Sequence, residues 1–405
     1  VWDSGRMHGL NASGRAPEGL SADAFRRAGM TKVPTEGWAP VTTPGVVSAW
    51  SALSRRFGCL PFREVIAPAV EYAREGAPVP PVIASYWNAA QKRFGGRGGV
   101  FTEFERAFLL GGRAPLPGEV YRNRDLADTL QSIADSRGES FYRGNLARAI
   151  AAHSEATGGF MTLRDLAEHV PEWVQPVKAG YRGFDVWEIP PNGQGIVALM
   201  ALNIMEGFDL RDAPRLAPES LHVIIEALRL AFADAHARVG DPRVVTVPVD
   251  ELLSPEYAAA RRAQISMSHA MTTVALGPLS GKQETWRPSD GDTVYLSTAD
   301  WEGMMVSYIQ SNYMGFGSGV VVPGTGISMQ NRGAGFSLEE GHPNELAPGR
   351  RPFHTIIPGF LTQSGVPLAA FGVMGGDMQP QGHVQAVSYT HLRAHETVLD
   401  IVCRL

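Results

Sequence analysis

Gly291 to Asp300 reads GDTVYLSTAD, a small hydroxyl residue, Thr293, at the head of a strand-like alternating run. The residues before it, Gly277 to Gly291 (GPLSGKQETWRPSDG), are polar and rich in Gly, Pro and Ser, the composition of an exposed, strainable loop. A threonine hydroxyl is a weak nucleophile until a base takes its proton. A free α-amine, with a reference pKa of roughly 7.7–8.0, can be that base. A chain cut before Thr293 would therefore carry nucleophile and base on one residue. Taken alone, the decapeptide also reads as an ordinary loop-to-strand junction that happens to carry a threonine.

Around this stretch lies a chain of 405 residues with 44% hydrophobic and 19% charged side chains, the make-up of a globular protein with ample core in one domain or two. The net charge of -5, without a run of Lys or Arg, gives no electrostatic support to a nucleic-acid or membrane-surface role. No segment approaches the ~18 uninterrupted apolar residues of a membrane span. Cys59 and Cys403 are too few for a disulfide framework or a cysteine zinc site.

From Thr43 to about Gly240 the pattern is mainly helical, with apolar residues at helical spacing in Val46 to Phe57, Phe62 to Glu75, Leu126 to Asp135 and Leu221 to Ala237. Breaks fall at Ala77-Pro78-Val79-Pro80-Pro81 and Gly95-Gly96-Arg97-Gly98-Gly99; the second lacks the strand before it and the Lys-Ser/Thr after it that a phosphate cradle needs, and reads as a surface loop. From Asp292 the texture changes to short β-type runs, Val294 to Thr298, Met304 to Gln310, Val320 to Val322 and Ala369 to Val373. Helices grouped before strands predict an α+β fold rather than an alternating βαβ one. Gly317-Ser318-Gly319 fails the GxSxG pattern because Phe316 stands where glycine is required, so Ser318 reads as a turn residue.

Downstream of Thr293 come, in order, SNYMGFGSGVVVPGTGISMQNRGAGF (Ser311 to Phe336), APGRRPFHTIIPGF (Ala347 to Phe360) and FGVMGGDMQPQ (Phe371 to Gln381). Upstream stand LNASGRAP (Leu10 to Pro17), TTPGVVSAW (Thr42 to Trp50), YRGFDVWEIPPNGQGIVALMALNIMEGFDL (Tyr181 to Leu210) and EALRLAFADAHARVGDP (Glu226 to Pro242). This ordered set resembles the gamma-glutamyltranspeptidase family of N-terminal-nucleophile hydrolases over nearly the whole chain. The resemblance implies a four-layer αββα sandwich and a precursor that cuts itself between Asp292 and Thr293. Residues 1–292 would form a helix-rich large-subunit region and 293–386 a small-subunit region headed by the nucleophile. No metal or organic cofactor is implied.

The chain opens at Val1 in what reads as a strand end or hairpin, and family members continue past Gly375-Gly376, so truncation at both ends is expected and the compartment, cytoplasmic or exported, is not legible. Val387 to Thr397, VSYTHLRAHET, resembles a translated transposon-end sequencing adapter, and residues 387–405 are set aside as a non-native tail. His391, His395 and Glu396 fall there at helical spacing but without the HExxH pattern or a third ligand of a metal site.

By resemblance, Thr293 is the nucleophile and Ser311 the second hydroxyl that hydrogen-bonds it. Gly375 and Gly376 match the glycine pair whose amides form an oxyanion hole, where backbone must approach closely. Arg15 falls where the family grips a substrate carboxylate, a task suited to a planar guanidinium. Other positions depart from the gamma-glutamyl enzymes. Their acidic ligand for the substrate's α-amino group is Gly335 here, an asparagine is Tyr313, a glutamine is Arg332, and a serine pair is His354-Thr355. QNRGAGFSL, APGRRPFHT and MGGDMQPQ look closer to the branch with oxamate amidohydrolase and acylases.

The expected activity is amide cleavage through a Thr293 acyl-enzyme, with a γ-glutamyl or shorter carboxylated acyl group and with water or an amine as acceptor. One rival is an oxamate amidohydrolase-type or acylase-type hydrolase without γ-glutamyl activity. Others are a non-catalytic carboxylate-binding relic, and a serine hydrolase using Ser318.

Overall fold

The computed structural model describes residues 1–210, 217–277 and 292–392, with backbone only for Asp292 and residues 389–392. The loop residues 278–291, His395, Glu396 and Cys403 lie outside the described residues, and of His391 only the backbone lies within them.

Among the described residues, beside two small two-stranded sheets, eight strands make two four-stranded ones. In chain order they are β1 (Trp2–Asp3), β2 (Arg6–Met7), β3 (Val177–Tyr181), β4 (Phe184–Glu188), β5 (Asp292–Ala299), β6 (Met305–Tyr313), β7 (Gly359–Gln363) and β8 (Val366–Phe371). The first sheet has the order β2-β1-β6-β5 and the second β8-β7-β4-β3, all neighbours antiparallel. The opening hairpin expected from VWDSGRMHGLNA is present and joins the first sheet through Trp2 opposite Met305.

Helices cover the outer faces. Those that position the site are α1 (Val46–Phe57), α2 (Phe62–Glu75), α3 (Arg124–Ser136), α4 (Gly195–Met205), α5 (Pro218–Arg238) and α6 (Gln379–Leu392). In α4, GIVALMALNIM is apolar on every side but Asn203, and such a helix is stable only when enclosed. It packs against β3, β4, α5 and α6 at the centre of the largest core cluster. Asn203, its one polar side chain, donates to Leu253 O at 3.0 Å. On the other side, Trp50 of α1 donates Nε1 to Gln310 Oε1 of β6 at 3.1 Å. The buried backbone N–H of Ser48, in the first turn of α1 where no helical carbonyl precedes it, donates to Tyr142 Oη at 3.0 Å. The sheets face one another where Ser307 Oγ donates to Phe371 O at 3.3 Å, and where a Cβ on Gly372 would lie 2.4 Å from the Tyr295 ring. The sequence of layers is helix, sheet, sheet, helix, as the resemblance implied.

Two spans depart from expectation. The region predicted as helical contains β3 and β4, which are short and amphipathic; they pair with each other, and β4 pairs with β7, which lies far along the chain. Val320 to Val322 is no strand: Gly317 and Gly319, both at positive φ, turn the chain, and these valines fold back on Ile327 to Met329 with one isolated bridge, Val321 to Ser328. Ser318 sits in that turn, fully buried, its hydroxyl donating to Met329 O at 3.0 Å. The glycine cluster at 95–99 is a surface turn. The tail expected from Val387 begins inside α6, where Val387 is buried against the core. No described helix is long and apolar enough to cross a membrane.

His169 yields a pH test. Its Nε2 lies 3.0 Å from Ser48 Oγ, and burial above all, followed by Arg351 and Arg15, lowers its pKa to about 4 from 6.5. A histidine held neutral when folded takes its proton more readily when unfolded, so its contribution is present near pH 7 and lost as pH falls through this window. The loss is at most about 3 kcal/mol. Denaturant midpoints should drop between pH 7 and 4.5, and drop less in His169→Gln; an equal drop would show that His169 does not titrate there.

Candidate active site

Strands β5 and β6 pair in register from Ala299 opposite Met305 to Thr293 opposite Ser311, and the register then shifts so that Asp292 faces Tyr313. Thr293 Oγ1 and Ser311 Oγ are 3.1 Å apart, and Thr293 is 8% exposed. The bulge after Ser311 bends the strand and re-aims the side chains beyond it. Tyr313 takes a φ of 74°, unusual for a bulky residue, while its N–H donates to Ser311 Oγ at 2.8 Å. The bulge thus presents the Tyr313 ring beside the Thr293–Ser311 pair.

Over that ring lies the Arg332 guanidinium, 3.4 Å from its centroid. Arg332 is 6% exposed, donates Nη1 to Thr355 Oγ1 at 2.6 Å, and has a buried Nε without a partner. Among the described residues no carboxylate pairs with it. Gly335 makes room for it, since a Cβ there would come within 2.5 Å of Arg332 Nη2. Arg332, Ser311, Gln330, His354 and Asn192 contribute to the lining of a cavity of about 180 Å³, most of whose wall is apolar. Burial, reinforced by Arg332 and Arg351, holds the His354 pKa well below its usual value, so the ring stays neutral. The cavity wall thus carries a positive charge for which the described residues supply no carboxylate partner.

Arg15 occupies different surroundings. Its Nη1 lies 2.5 Å from Asp241 Oδ2 and 3.0 Å from Gly349 O, and its Nη2 is 3.4 Å from Glu172 Oε1. Arg351 joins the same cluster through Glu172 at 2.7 Å, Asp241 at 3.0 Å and Ser13 O at 2.8 Å, and Arg243 reaches Glu172 at 2.6 Å. Burial works to raise the Glu172 pKa, but the three guanidinium groups outweigh it and keep the carboxyl below its ordinary range. Arg15 does not line the cavity, although its neighbours Ser13 and Gly14 do.

The end of β8 runs against Tyr295, two residues from Thr293, and leads into the turn at Gly375 and Gly376, whose φ values of 133° and 58° suit glycine alone. A short turn of helix, Gly376–Met378, then opens α6. Sequence reasoning assigned no role to two residues that hold this region together. Asn192 donates Nδ2 to Pro352 O at 2.7 Å and accepts the His354 N–H at 2.9 Å on its carbonyl. Gln194 donates Nε2 to Thr355 O at 2.6 Å and to Gly376 O at 2.9 Å, and both residues are fully buried. The available signal was PPNGQG, two amide side chains among prolines and glycines directly before an all-apolar helix.

One chain of contacts therefore joins Thr293, Ser311, Tyr313, Arg332, Thr355, Gln194 and Gly376, with His354 beside it and Arg15 in a separate ion-pair cluster. Such a site offers a paired hydroxyl, a buried cation and a glycine turn. Among the described residues no group of three His, Cys, Asp or Glu is placed to hold a metal ion.

The gamma-glutamyltranspeptidase family model matches residues 1–402. A glutathione hydrolase-like YwrD proenzyme of Bacillus subtilis is 36% identical over 92% of this chain and 67% of its own length. An oxamate amidohydrolase proenzyme of Klebsiella pneumoniae is 36% identical over 94% of this chain and 69% of its own. The crystal structure of a cephalosporin acylase from Bacillus halodurans superposes with a TM-score of 0.89 at 50% identity, covering 96% of this chain and 70% of that one. The chain spans about two thirds of these relatives.

The Arg15 cluster predicts a stability effect. Asp241 is 2% exposed, and its Oδ2 accepts from both the Arg15 side chain and the Arg351 backbone, so Asp241→Asn leaves the half-buried Arg15 guanidinium with Glu172 as its remaining countercharge. A cost of about 1.5–3 kcal/mol in urea unfolding is expected; a change under about 1 kcal/mol would show that Glu172 alone suffices.

Proposed function

Because the chain belongs to the gamma-glutamyltranspeptidase family, we propose that it is the core of an autoprocessing amidohydrolase or acyltransferase whose nucleophile is Thr293 and whose substrates are amides with a carboxylate on the acyl part. The observation that carries this reading is the 3.1 Å pair of Thr293 Oγ1 and Ser311 Oγ beside Arg332, a buried guanidinium with no carboxylate partner among the described residues.

In the precursor, Thr293 Oγ1 attacks the carbonyl of Asp292; the C–N bond breaks as the ester forms, which frees the Thr293 α-amine, and water then hydrolyses the ester to release the Asp292 carboxylate and the Thr293 hydroxyl. Residues 1–292 then form the large subunit and the chain from Thr293 the small one. The names of the relatives as proenzymes support a cut precursor. In turnover the α-amine takes the Thr293 hydroxyl proton while Oγ1 forms an ester bond to the substrate's carbonyl carbon. The C–N bond breaks and the same proton passes to the leaving amine. Water, or a second amine, resolves the acyl-enzyme. Ser311 orients the nucleophile, and the amides of Gly375 and Gly376 receive the charge that develops on the carbonyl oxygen, worth on the order of 10²–10³ in rate per donor.

Arg332 and Thr355 would hold the acyl carboxylate, with His354 neutral beside them. Oxamate, named for one relative, is itself an amide with a carboxylate on its acyl carbon. An acyl donor's α-ammonium would meet the same guanidinium, and Gly335 supplies no acid to offset it. Arg15, already paired with Asp241, contributes to this reading by shaping the wall through Ser13 and Gly14.

Two measurements test the reading. Intact-mass analysis of the full-length parent should show two fragments divided between Asp292 and Thr293, and one uncut chain in Thr293→Ala; a well-folded parent that stays whole would overturn the nucleophile assignment. Glutaryl p-nitroanilide should be cleaved in preference to γ-glutamyl p-nitroanilide, which differs by its ammonium alone. Arg332→Leu should lower kcat/KM on the glutaryl substrate about 30- to 150-fold, the loss of a charge-assisted contact of about 2–3 kcal/mol. Unchanged turnover would rule out Arg332 as the carboxylate receptor.

A further inference from the structure

The turn at Gly375 and Gly376 poses a mechanical problem. Glycine permits its φ values of 133° and 58°, but the same freedom means that the turn's own sterics do not hold it. An oxyanion site works through donors that are fixed before the charge develops. Its own backbone bonds, Met378 N–H to Gly375 O at 3.1 Å and the Gln379 N–H to Gly376 O, close the turn but do not tie it to the rest of the site, and that tie has to come from outside.

Gln194 meets that requirement. It is fully buried at the start of α4, and its Nε2 reaches Gly376 O at 2.9 Å and Thr355 O at 2.6 Å. Because both partners are carbonyls, the amide's nitrogen must face them. Its Oε1 is buried with no partner, which is unfavourable by itself, so the useful part of the side chain is the NH₂ that joins the two loops. The Gln194 backbone N–H adds a bond of 2.8 Å to His354 O. Thr355 in turn accepts from Arg332 at 2.6 Å. Gln194 thus stands between the residue that would grip the acyl carboxylate and the turn that would stabilise the oxyanion.

We propose that Gln194 is a positioning residue for the reaction: it sets the Gly375-Gly376 turn and holds it in register with Arg332 through Thr355. The inference rests on the reading of Thr293 as nucleophile and adds to it a residue that touches neither substrate nor nucleophile. Glu188 and His383, a fully buried pair at 2.6 Å, and Gln379, which accepts from Ile357 N at 3.1 Å, anchor the body of α6. They hold the helix, whereas Gln194 acts on the turn itself.

The test uses the full-length enzyme and glutaryl p-nitroanilide. Gln194→Met keeps the bulk and removes the donor; it should still yield two fragments, keep KM within about threefold and lose about 10- to 100-fold of kcat. Gln194→Glu faces two carbonyls with a carboxylate at neutral pH, but once protonated its O–H can donate to one of them. Its kcat relative to wild type should therefore climb as pH falls from 8 to 5, while the ratio for Gln194→Met stays level. Wild-type kcat in the Met variant, or a level ratio in the Glu variant, overturns the proposal, and the second readout decides if the Met variant does not fold. Thr293→Ala run in parallel separates the two ideas: an inactive Thr293→Ala with unaffected Gln194 variants sinks only the positioning role, and an active one sinks the nucleophile reading beneath it.

Discussion

The site depends on the antiparallel register of β5 and β6. Side chains alternate faces along a strand, so a slip of one residue would turn Thr293 away from Ser311 and carry every partner with it. The pairing from Ala299 to Thr293 holds the hydroxyls opposite one another, and the bulge after Ser311 then breaks the alternation where a different direction is needed. Tyr313 is delivered by that break, in a backbone conformation that a regular strand would not allow, and its ring forms the platform for Arg332. The glycine turn is brought to the same place by the second sheet, whose last strand abuts Tyr295.

Two arginines, one half-buried and one buried, show how environment decides role. Arg15 has Asp241 and Glu172 around it, and its charge is largely answered within the protein. Among the described residues Arg332 has a hydroxyl and an aromatic face as partners, and its Nε has none. Burying a cation without a countercharge costs several kcal/mol even after relaxation, and cation–π contact and one hydrogen bond return only part of that. The remaining imbalance favours any anion that enters the cavity. Gly335 is coupled to this choice, because a side chain there would displace the guanidinium.

The longest regularities were legible directly. α1 and α2 span the residues their apolar periodicity marked out, since an amphipathic stripe reports burial of one face wherever that face packs. β3 and β4 were hidden within a region read as helical because a short strand carries few periods, and its stability comes from β7, which follows it by well over a hundred residues. Val320 to Val322 carried strand propensity, but the glycines flanking it forced a tight return instead. At the site, the eighteen-residue spacing of Thr293 and Ser311 fits one antiparallel hairpin, and the structure forms that hairpin. Gln194 stayed silent because an amide side chain shows its partners only when the two carbonyls it bridges have been folded to it.

By itself the sequence determined the family, the α+β class and the residue types at each position, because ordered motifs and periodic burial are properties of the chain alone. Only the tertiary structure decided that Arg15 lies in an ion-pair cluster, that Arg332 lies over Tyr313 with no carboxylate partner among the described residues, and that Gln194 joins Thr355 to Gly376. Charge balance and hydrogen-bond satisfaction are set by distances of a few ångströms between residues far apart in sequence, and no local pattern encodes them.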